Sequence, residues 1–293
     1  MTRLLHISDL HFGTEQPHVM AALLALGRLK KPDVLIVSGD ITQRATPSEF
    51  ARAKAFCDQL EVPTLLALPG NHDIPLFNVF ARAFWPYAAF QKAFGQALEQ
   101  HFQTPSLCIS LVNTTRPWRH KNGEISAAQI ERVCREQASA TPQQLRVVVV
   151  HQPVHVLRPQ DEHDRLIGWQ PALKAWSAAG ADMVLGGHIH LPYVCELSAM
   201  MSGLSRRLWC VQAGTAVSSR IRREAPNSIN LIEFLRGGSD SESGNKFHCT
   251  VERWDHQNTQ TLLAGSANRS GNGKPGAGEF ALAHTSALNI QRD

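Results

Sequence analysis

No apolar run in this sequence approaches the length of a membrane-spanning helix, and no two cysteines stand in Cys-x-x-Cys spacing. The six cysteines, at positions 57, 108, 134, 195, 210 and 249, are scattered along 293 residues, a chain long enough to bury a core without covalent staples. Reduced thiols are therefore expected, not a disulfide framework. Tyrosine is scarce, with two against twelve phenylalanines. No internal repeat is visible, no long coiled-coil arm, and no interleaving of basic and aromatic residues of the kind that stacks nucleic-acid bases. The first residues, Met-Thr-Arg-Leu-Leu-His-Ile-Ser-Asp, run into a strand pattern without signal-peptide anatomy. From these absences the expectation is a soluble, cytoplasmic protein with no membrane partner.

What is present is an ordinary globular balance, 43% hydrophobic and 18% charged, enough for one large domain or two small ones. The formal net charge of +4 suits an anionic substrate without demanding nucleic acid. Apolar runs predict strands over residues 4–8, 34–37 and 65–68, with helices over 17–30 and 47–60 between them. The second helix is announced by Thr46-Pro47-Ser48-Glu49, a capping box with proline at the first helical position. This alternation argues a parallel sheet with right-handed crossovers.

Residues 74–105 break the rhythm and read as a helical, aromatic-rich insert. Phe77, Phe80, Phe84, Tyr87, Phe90 and Phe94 step by three or four, the spacing of a helical core face. The alternative is an insert that overhangs the site or makes a subunit contact in a homo-oligomer. Further strands are expected at 107–112, 145–150 and 182–185, with helices at 126–137 and 171–179. The late strands at 208–211, 229–235 and 247–254 lack intervening helices and are expected to form a second, more antiparallel layer. One domain over 1–256 follows. Residues 257–293, rich in Gly, Ser, Asn and Thr, are expected to be a poorly ordered tail.

Five of these strands end in polar, chemistry-bearing residues. They deliver Asp9 and His11, then Asp40, then Asn71, His72 and Asp73 after the stop at Pro69-Gly70, then His151, then His188 and His190. In an α/β sheet the C-terminal strand ends share one edge, and ligands bind there. Alternate residues of an extended chain point the same way, so Asp9 with His11 and His188 with His190 can each converge. Singly, each has a plain reading as a turn or a satisfied core histidine. Together they offer imidazole nitrogens and oxygens but no thiolate, which favours manganese, iron, zinc or cobalt. Even seven of these nine groups are too many for one ion and suit two ions sharing a carboxylate. His6, His18, His101, His120, His248 and His256 lie outside the pattern, and His155 and His163 reach at best its rim.

Asp9-x-His11, Gly39-Asp40, Gly70-Asn71-His72-Asp73, His151 and Gly187-His188-x-His190 resemble, in order, the five motifs of the calcineurin-like metallophosphoesterases. The likeness spans residues 1 to about 235 and is nearest the bacterial class III cyclic-nucleotide phosphodiesterases. It implies an α/β fold, a four-layer α/β/β/α sandwich of two mixed sheets with the metal site at the C-terminal strand edge. It implies one ion on Asp9, His11, Asp40 and His190, and another on Asp40, Asn71, His151 and His188. Such a pair of divalent or mixed-valence ions can clamp a phosphate and generate hydroxide for in-line attack. His72, left without a metal, is the expected proton donor to the leaving group, with Asp73 orienting it. The related purple acid phosphatases carry a ligand tyrosine three residues after the bridging aspartate. Gln43 stands there instead, which argues against an iron–tyrosinate site.

Arg220 and Arg222 lie just beyond a predicted strand, in a stretch between Glu196 and Glu224 that holds five arginines and no acid. They are the candidate substrate contacts; the plain reading is a solvated basic loop. The expected activity is hydrolysis of a small nucleotide or similar organic phosphodiester. The rivals are a nucleotide-lipid pyrophosphatase or phosphomonoesterase of the same fold, a DNA repair nuclease, and a scaffold without metals.

Overall fold

Short β-rich runs near the N-terminus set the frame of the protein, seen in a computed structural model that describes residues 1–223, 225–236, 247–257 and 278–291. Strands β1 (Thr2–Ile7), β2 (Val34–Val37) and β3 (Thr64–Ala67) pair in parallel. Helix α1 (Pro17–Lys30) crosses between the first two and α2 (Pro47–Gln59) between the next two. Pro17 pre-sets the first turn of α1, and Lys31 in a left-handed conformation ends it before Pro32. In α2 the Thr46–Glu49 capping box forms as its spacing predicts.

The sheet order is β12-β11-β10-β1-β2-β3, where β10 (Ser228–Arg236), β11 (Phe247–Gln257) and β12 (Glu279–Leu288) run antiparallel beside β1. The second sheet is β4-β5-β6-β7-β9-β8. Its parallel centre is β5 (Leu107–Leu111), β6 (Leu145–Val149), β7 (Met183–Gly186) and β9 (Trp209–Gln212), with β4 (Gln100–Gln103) and β8 (Tyr193–Glu196) antiparallel at the edges.

Three buried layers hold this together. Leu4, Ile36 and Leu66 of the first sheet meet Ile109, Val147 and Leu185 of the second. Leu23, Phe50 and Phe56 fill the space under α1 and α2. Val133 of α5 (Ala127–Ala138) and Leu173 and Trp176 of α6 (Trp169–Ala178) close the far face. The result is the four-layer α/β/β/α sandwich. Among the described residues no helix is long and apolar enough to cross a membrane.

Three expectations need correction. The late strands do not form a layer of their own: β9 joins the second sheet in parallel, whereas β10 and β11 return to β1, where Leu4 pairs with Ile232. The insert is two short helices, α3 (Val79–Phe84) and α4 (Ala88–Phe94), because Pro86 interrupts the pattern. Only α4 presents a core face, with Phe90 buried against Phe50 and Phe94; α3 has no buried residue, and the insert ends in β4. Of the expected tail, residues 279–288 form β12, whose Phe280 and Leu288 are buried. Residues 258–277 lie outside the described residues.

Candidate functional site

Polar groups at the end of a buried strand need partners, and the loops that leave β1, β2, β3, β6 and β7 supply them to one another. Asp9 N–H donates to the Gly39 carbonyl (3.0 Å), His11 N–H to the Asp40 carbonyl (2.9 Å) and Gly187 N–H to the His151 carbonyl (2.9 Å). This lacing needs close backbone approach. Gly39 has φ +101°, and a Cβ there would press into the His151 ring; at Gly70 a Cβ would collide with the backbone of Asp40.

The convergence of the ligand candidates has a different cause from strand alternation. Asp9, His11, Asp40, His188 and His190 all adopt left-handed backbone, with φ between 42° and 75°. Such residues cost of order 1 kcal/mol each and persist only where the surroundings hold them, so the strain is concentrated where the donors meet. His188 and His190 therefore diverge: His188 packs edge-on against His151, whereas His190 lies beside His11, each pair with ring centroids 5.1 Å apart.

Two donor sets result, meeting at Asp40. In the first, His190 Nε2 lies 3.2 Å from Asp9 Oδ1 and 3.1 Å from His11 Nε2, which is 3.7 Å from Asp40 Oδ2. In the second, His151 Nε2 lies 3.2 Å from both Asp40 Oδ1 and Asn71 Oδ1, with His188 alongside. The other ring nitrogens are anchored: His151 Nδ1–H donates to the Ser38 carbonyl and His190 Nδ1–H to the Arg220 carbonyl. That turns each Nε2 toward the cluster, where it can ligate an ion on losing its proton.

Burial disfavours the charged form of every group here, and mutual attraction decides the outcome. His11 is pushed down to about 3 by burial, despite Asp40 and Asp9. His151 goes up to about 9, because Asp40 and Asp9 outweigh its burial. Asp40 lies well below the usual carboxylate range, its burial outweighed by His151 and His72.

The residues fit a pair of metal ions. Asp9 Oδ1 and both ring nitrogens of His188 are buried with no hydrogen-bond partner, and two imidazole nitrogens face each other at 3.1 Å. Unpaired buried donors and acceptors of this kind are costly unless something binds them. All seven expected ligands are brought together.

His72 is at the same edge, but Asp73 does not orient it. Asp73 is buried and accepts from the backbone N–H groups of Gly70, Ile41 and Thr42 and from the Thr42 hydroxyl. It is a scaffold for the loops, raised to about 6 by burial and by Asp40. His72 Nδ1 instead bonds to the Gln43 carbonyl at 3.1 Å.

The arginines separate. Arg220 reaches the site, its Nη1 donating to Gln43 Oε1 (2.9 Å) and His72 Nε2 (3.1 Å) and lying 3.3 Å from His11 Nδ1. Arg222 lines the same cavity, but there Asp161, 61 residues away in sequence, grips it through both oxygens at 3.0 and 3.1 Å. Its guanidinium is thus engaged by an acid at the cavity wall, where the run of arginines without acids implied an unpartnered cation. Two residues that sequence reasoning missed line the same cavity. Asp164 lies 3.5 Å from His188 Nε2 and pairs with Lys121 at 2.6 Å. Neither stands at a strand end, so the strand-end signal could not reveal them. A cavity of about 520 Å³ opens over the cluster, lined among others by Lys121, Asp164, His188 and Arg220.

Comparison with known proteins agrees with this geometry. Residues 2–192 match a family model described as Calcineurin-like phosphoesterase. A probable cyclic nucleotide phosphodiesterase of Rhodococcus erythropolis is 21% identical over 246 residues, 78% of each chain. A glycerophosphodiester phosphodiesterase of Enterobacter lignolyticus is 35% identical over 82 residues, 24% of this chain and 29% of that one. In fold, the chain resembles a purple acid phosphatase of yellow lupin (TM-score 0.63, 12% identity, 87% of this chain covered), spanning about half of that enzyme's length at 51%. It also resembles a dimetal phosphatase of Danio rerio (TM-score 0.60, 12% identity, 86% and 95% covered).

Proposed function

The chain belongs to the calcineurin-like phosphoesterase family, and from that premise we propose a two-metal phosphodiesterase acting on a small nucleotide or similar organic phosphodiester. One observation carries the reading: Asp40 turns one oxygen toward His151 and Asn71 and the other toward His11, a carboxylate placed to serve two ions at once. Asp9, His11, Asp40 and His190 would hold one ion, and Asp40, Asn71, His151 and His188 the other. Manganese, iron, zinc or cobalt ions held there would supply charge neutralisation for the phosphate and a more acidic water.

The chain's own groups do the rest. Arg220 and Lys121 both line the cavity and favour an anionic phosphate there. His72, held by the Gln43 carbonyl, turns Nε2 into the cavity; once the substrate displaces Arg220 from that nitrogen and Nε2 takes up a proton from water, it can pass that proton to a departing alkoxide. The two curated relatives are both named as phosphodiesterases, which supports a diester over a monoester.

The test is a substrate panel with and without added manganese: 3′,5′-cyclic nucleotides, bis-p-nitrophenyl phosphate, p-nitrophenyl phosphate and plasmid DNA. Manganese-dependent cleavage of the small diesters is expected. Preference for the monoester, or nicking of the plasmid at comparable rates, would replace this reading with one of its rivals.

A further inference from the structure

Helix α3 leaves its apolar side chains in solvent: Phe77 just before it, Phe80 and Phe84 within it and Trp85 at its end are each at least 67% exposed. Patches of this kind, contiguous on a folded chain, mark binding surfaces more often than accidents. Their position says what they face. The cavity over the metal-site residues shares Asn71, His72 and His120 with a narrower cleft of about 240 Å³. That cleft in turn shares Arg44, Leu76 and Phe77 with a groove of about 570 Å³, lined by apolar side chains that include Pro47, Ala81, Trp85 and Ala88. Three neighbouring cavities thus share walls in a row, hereafter the trough, that runs from His72 to the insert helices.

The lining changes character along the trough. Lys121 and Arg220 flank the metal end. Arg44 sits at the middle, its guanidinium 5.3 Å over the Phe77 ring, with Arg82 near it. The far end is apolar except for Arg44, Thr46, Asn78 and Lys92, and no carboxylate lines cleft or groove among the described residues. An end that would hold two metal ions beside Arg220, adjoining a largely apolar end, complements an amphiphilic anion. A second copy or a protein partner could cover the outer face of α3, but neither would account for a groove that adjoins the cleft lined by His72.

We propose that the trough binds a phosphodiester whose leaving group carries an alkyl or acyl chain, with the phosphate at the metal-site residues and the chain laid over Phe77 into the groove beside Trp85. This rests on the phosphodiesterase reading and narrows its substrate to an amphiphile.

The experiment uses the full-length, manganese-loaded protein and methyl aryl phosphates whose phenyl ring bears a 4-methyl, 4-butyl or 4-octyl chain. These leaving groups differ little in basicity, and each is used below its critical micelle concentration with the released phenol quantified by chromatography. KM is expected to fall about twofold per methylene, roughly half the full transfer effect because the groove is open on one side, and so at least tenfold across the series. Trp85→Ser and the groove-filling Ala81→Trp should each shrink the methyl-to-octyl KM ratio to below about three. Because the readout is a ratio within one active enzyme, partial misfolding does not imitate it. A flat series for the wild type, or a ratio unmoved by both variants, overturns the proposal. If no ester is cleaved, the phosphodiesterase reading fails, and calorimetric binding of octyl against ethyl phosphate then decides the groove: tighter octyl binding upholds it and equal affinities overturn it. A dimer that Trp85→Ser dissociates while the KM series stays flat assigns the groove to a second copy and likewise overturns it.

Discussion

Asp40 is the side chain on which both donor sets depend, since each of its oxygens lies toward a different histidine. Asp40→Ala should therefore lose both ions together and not one. Metal analysis of the purified variant checks this, and near-full occupancy by two ions would sink the bridging role. His72 makes the opposite expectation. Its ring bonds to Gln43 and Arg220, outside the four groups assigned to either ion, so His72→Ala should keep two metals while losing roughly 10²–10⁴ in kcat. The loss should shrink for p-nitrophenolate leaving groups; an equal loss for poor and good leaving groups counts against proton donation. His6, a plain core histidine beside Ser38, contributes to acid stability instead. Burial holds it down near 3, so the folded protein keeps it neutral while the unfolded chain takes up a proton below about 6.5. Its contribution is fully present above pH 6.5 and is lost as pH falls toward 3, at up to about 1.4 kcal/mol per pH unit. Urea unfolding at pH 7 and 5 should show a smaller loss for His6→Gln than for the wild type. Equal losses would show that other groups set the acid limb.

At the scale of elements, the short 3-10 turn Pro159–Asp164 acts as a clamp on the site's rim. Asp161 holds Arg222 on the loop after β9, and Asp164 holds Lys121 and approaches His188. Asp161 is nearly buried, so Arg222→Ala leaves a carboxylate without its bidentate partner, and should cost about 1–3 kcal/mol of stability with little change in KM. A double-mutant cycle with Asp161→Asn should return a coupling above about 1 kcal/mol. Arg220→Ala should behave oppositely, raising KM roughly ten- to a hundredfold at nearly unchanged stability. If Arg222→Ala raises KM and leaves stability alone, it is a substrate contact after all. The two arginines looked alike in sequence because their fates are set by residues far along the chain. Local signals served better where the cause is local: the Thr46 capping box, the helix at Pro17 and the polar strand ends that placed all seven ligand candidates. Convergence at Asp9/His11 was anticipated for the wrong reason, since left-handed turns and not extended alternation bring those side chains together. Asp73 was misjudged because adjacency in sequence says little about which way a buried carboxylate turns within a tight loop.

For the molecule as a whole, the strand least visible in sequence ties the two sheets together. The middle of β12, Ala-Leu-Ala-His-Thr-Ser, shows no apolar alternation and stays largely exposed; only its ends are anchored. Phe280 packs into the layer under α1, whereas Leu288 and Ile290 enter the core between the sheets. Just past the strand, the Asn289 carbonyl accepts from Trp209 Nε1 and the Gln291 side chain from the Arg207 backbone, both on or beside the second sheet. A segment paired with β11 in one sheet and bonded to the approach to β9 in the other is a clasp, not a tail. Burying three such side chains contributes about 1.5–3 kcal/mol each before the entropy of ordering the segment, which offsets part of it. Truncation after Gln257 should therefore lower stability by several kcal/mol, and Tm by roughly 10 °C or more for a chain of this size. Because β12 is the edge strand three positions from β1, the site itself should keep its metals and its KM at low temperature. Calorimetry of the truncated and full chains, with phosphodiester kinetics at about 10 °C, measures both halves. An unchanged Tm would return residues 279–291 to the role of a tail, and lost activity in a still-folded truncated chain would mean that the far edge supports the site more directly than the strand order implies.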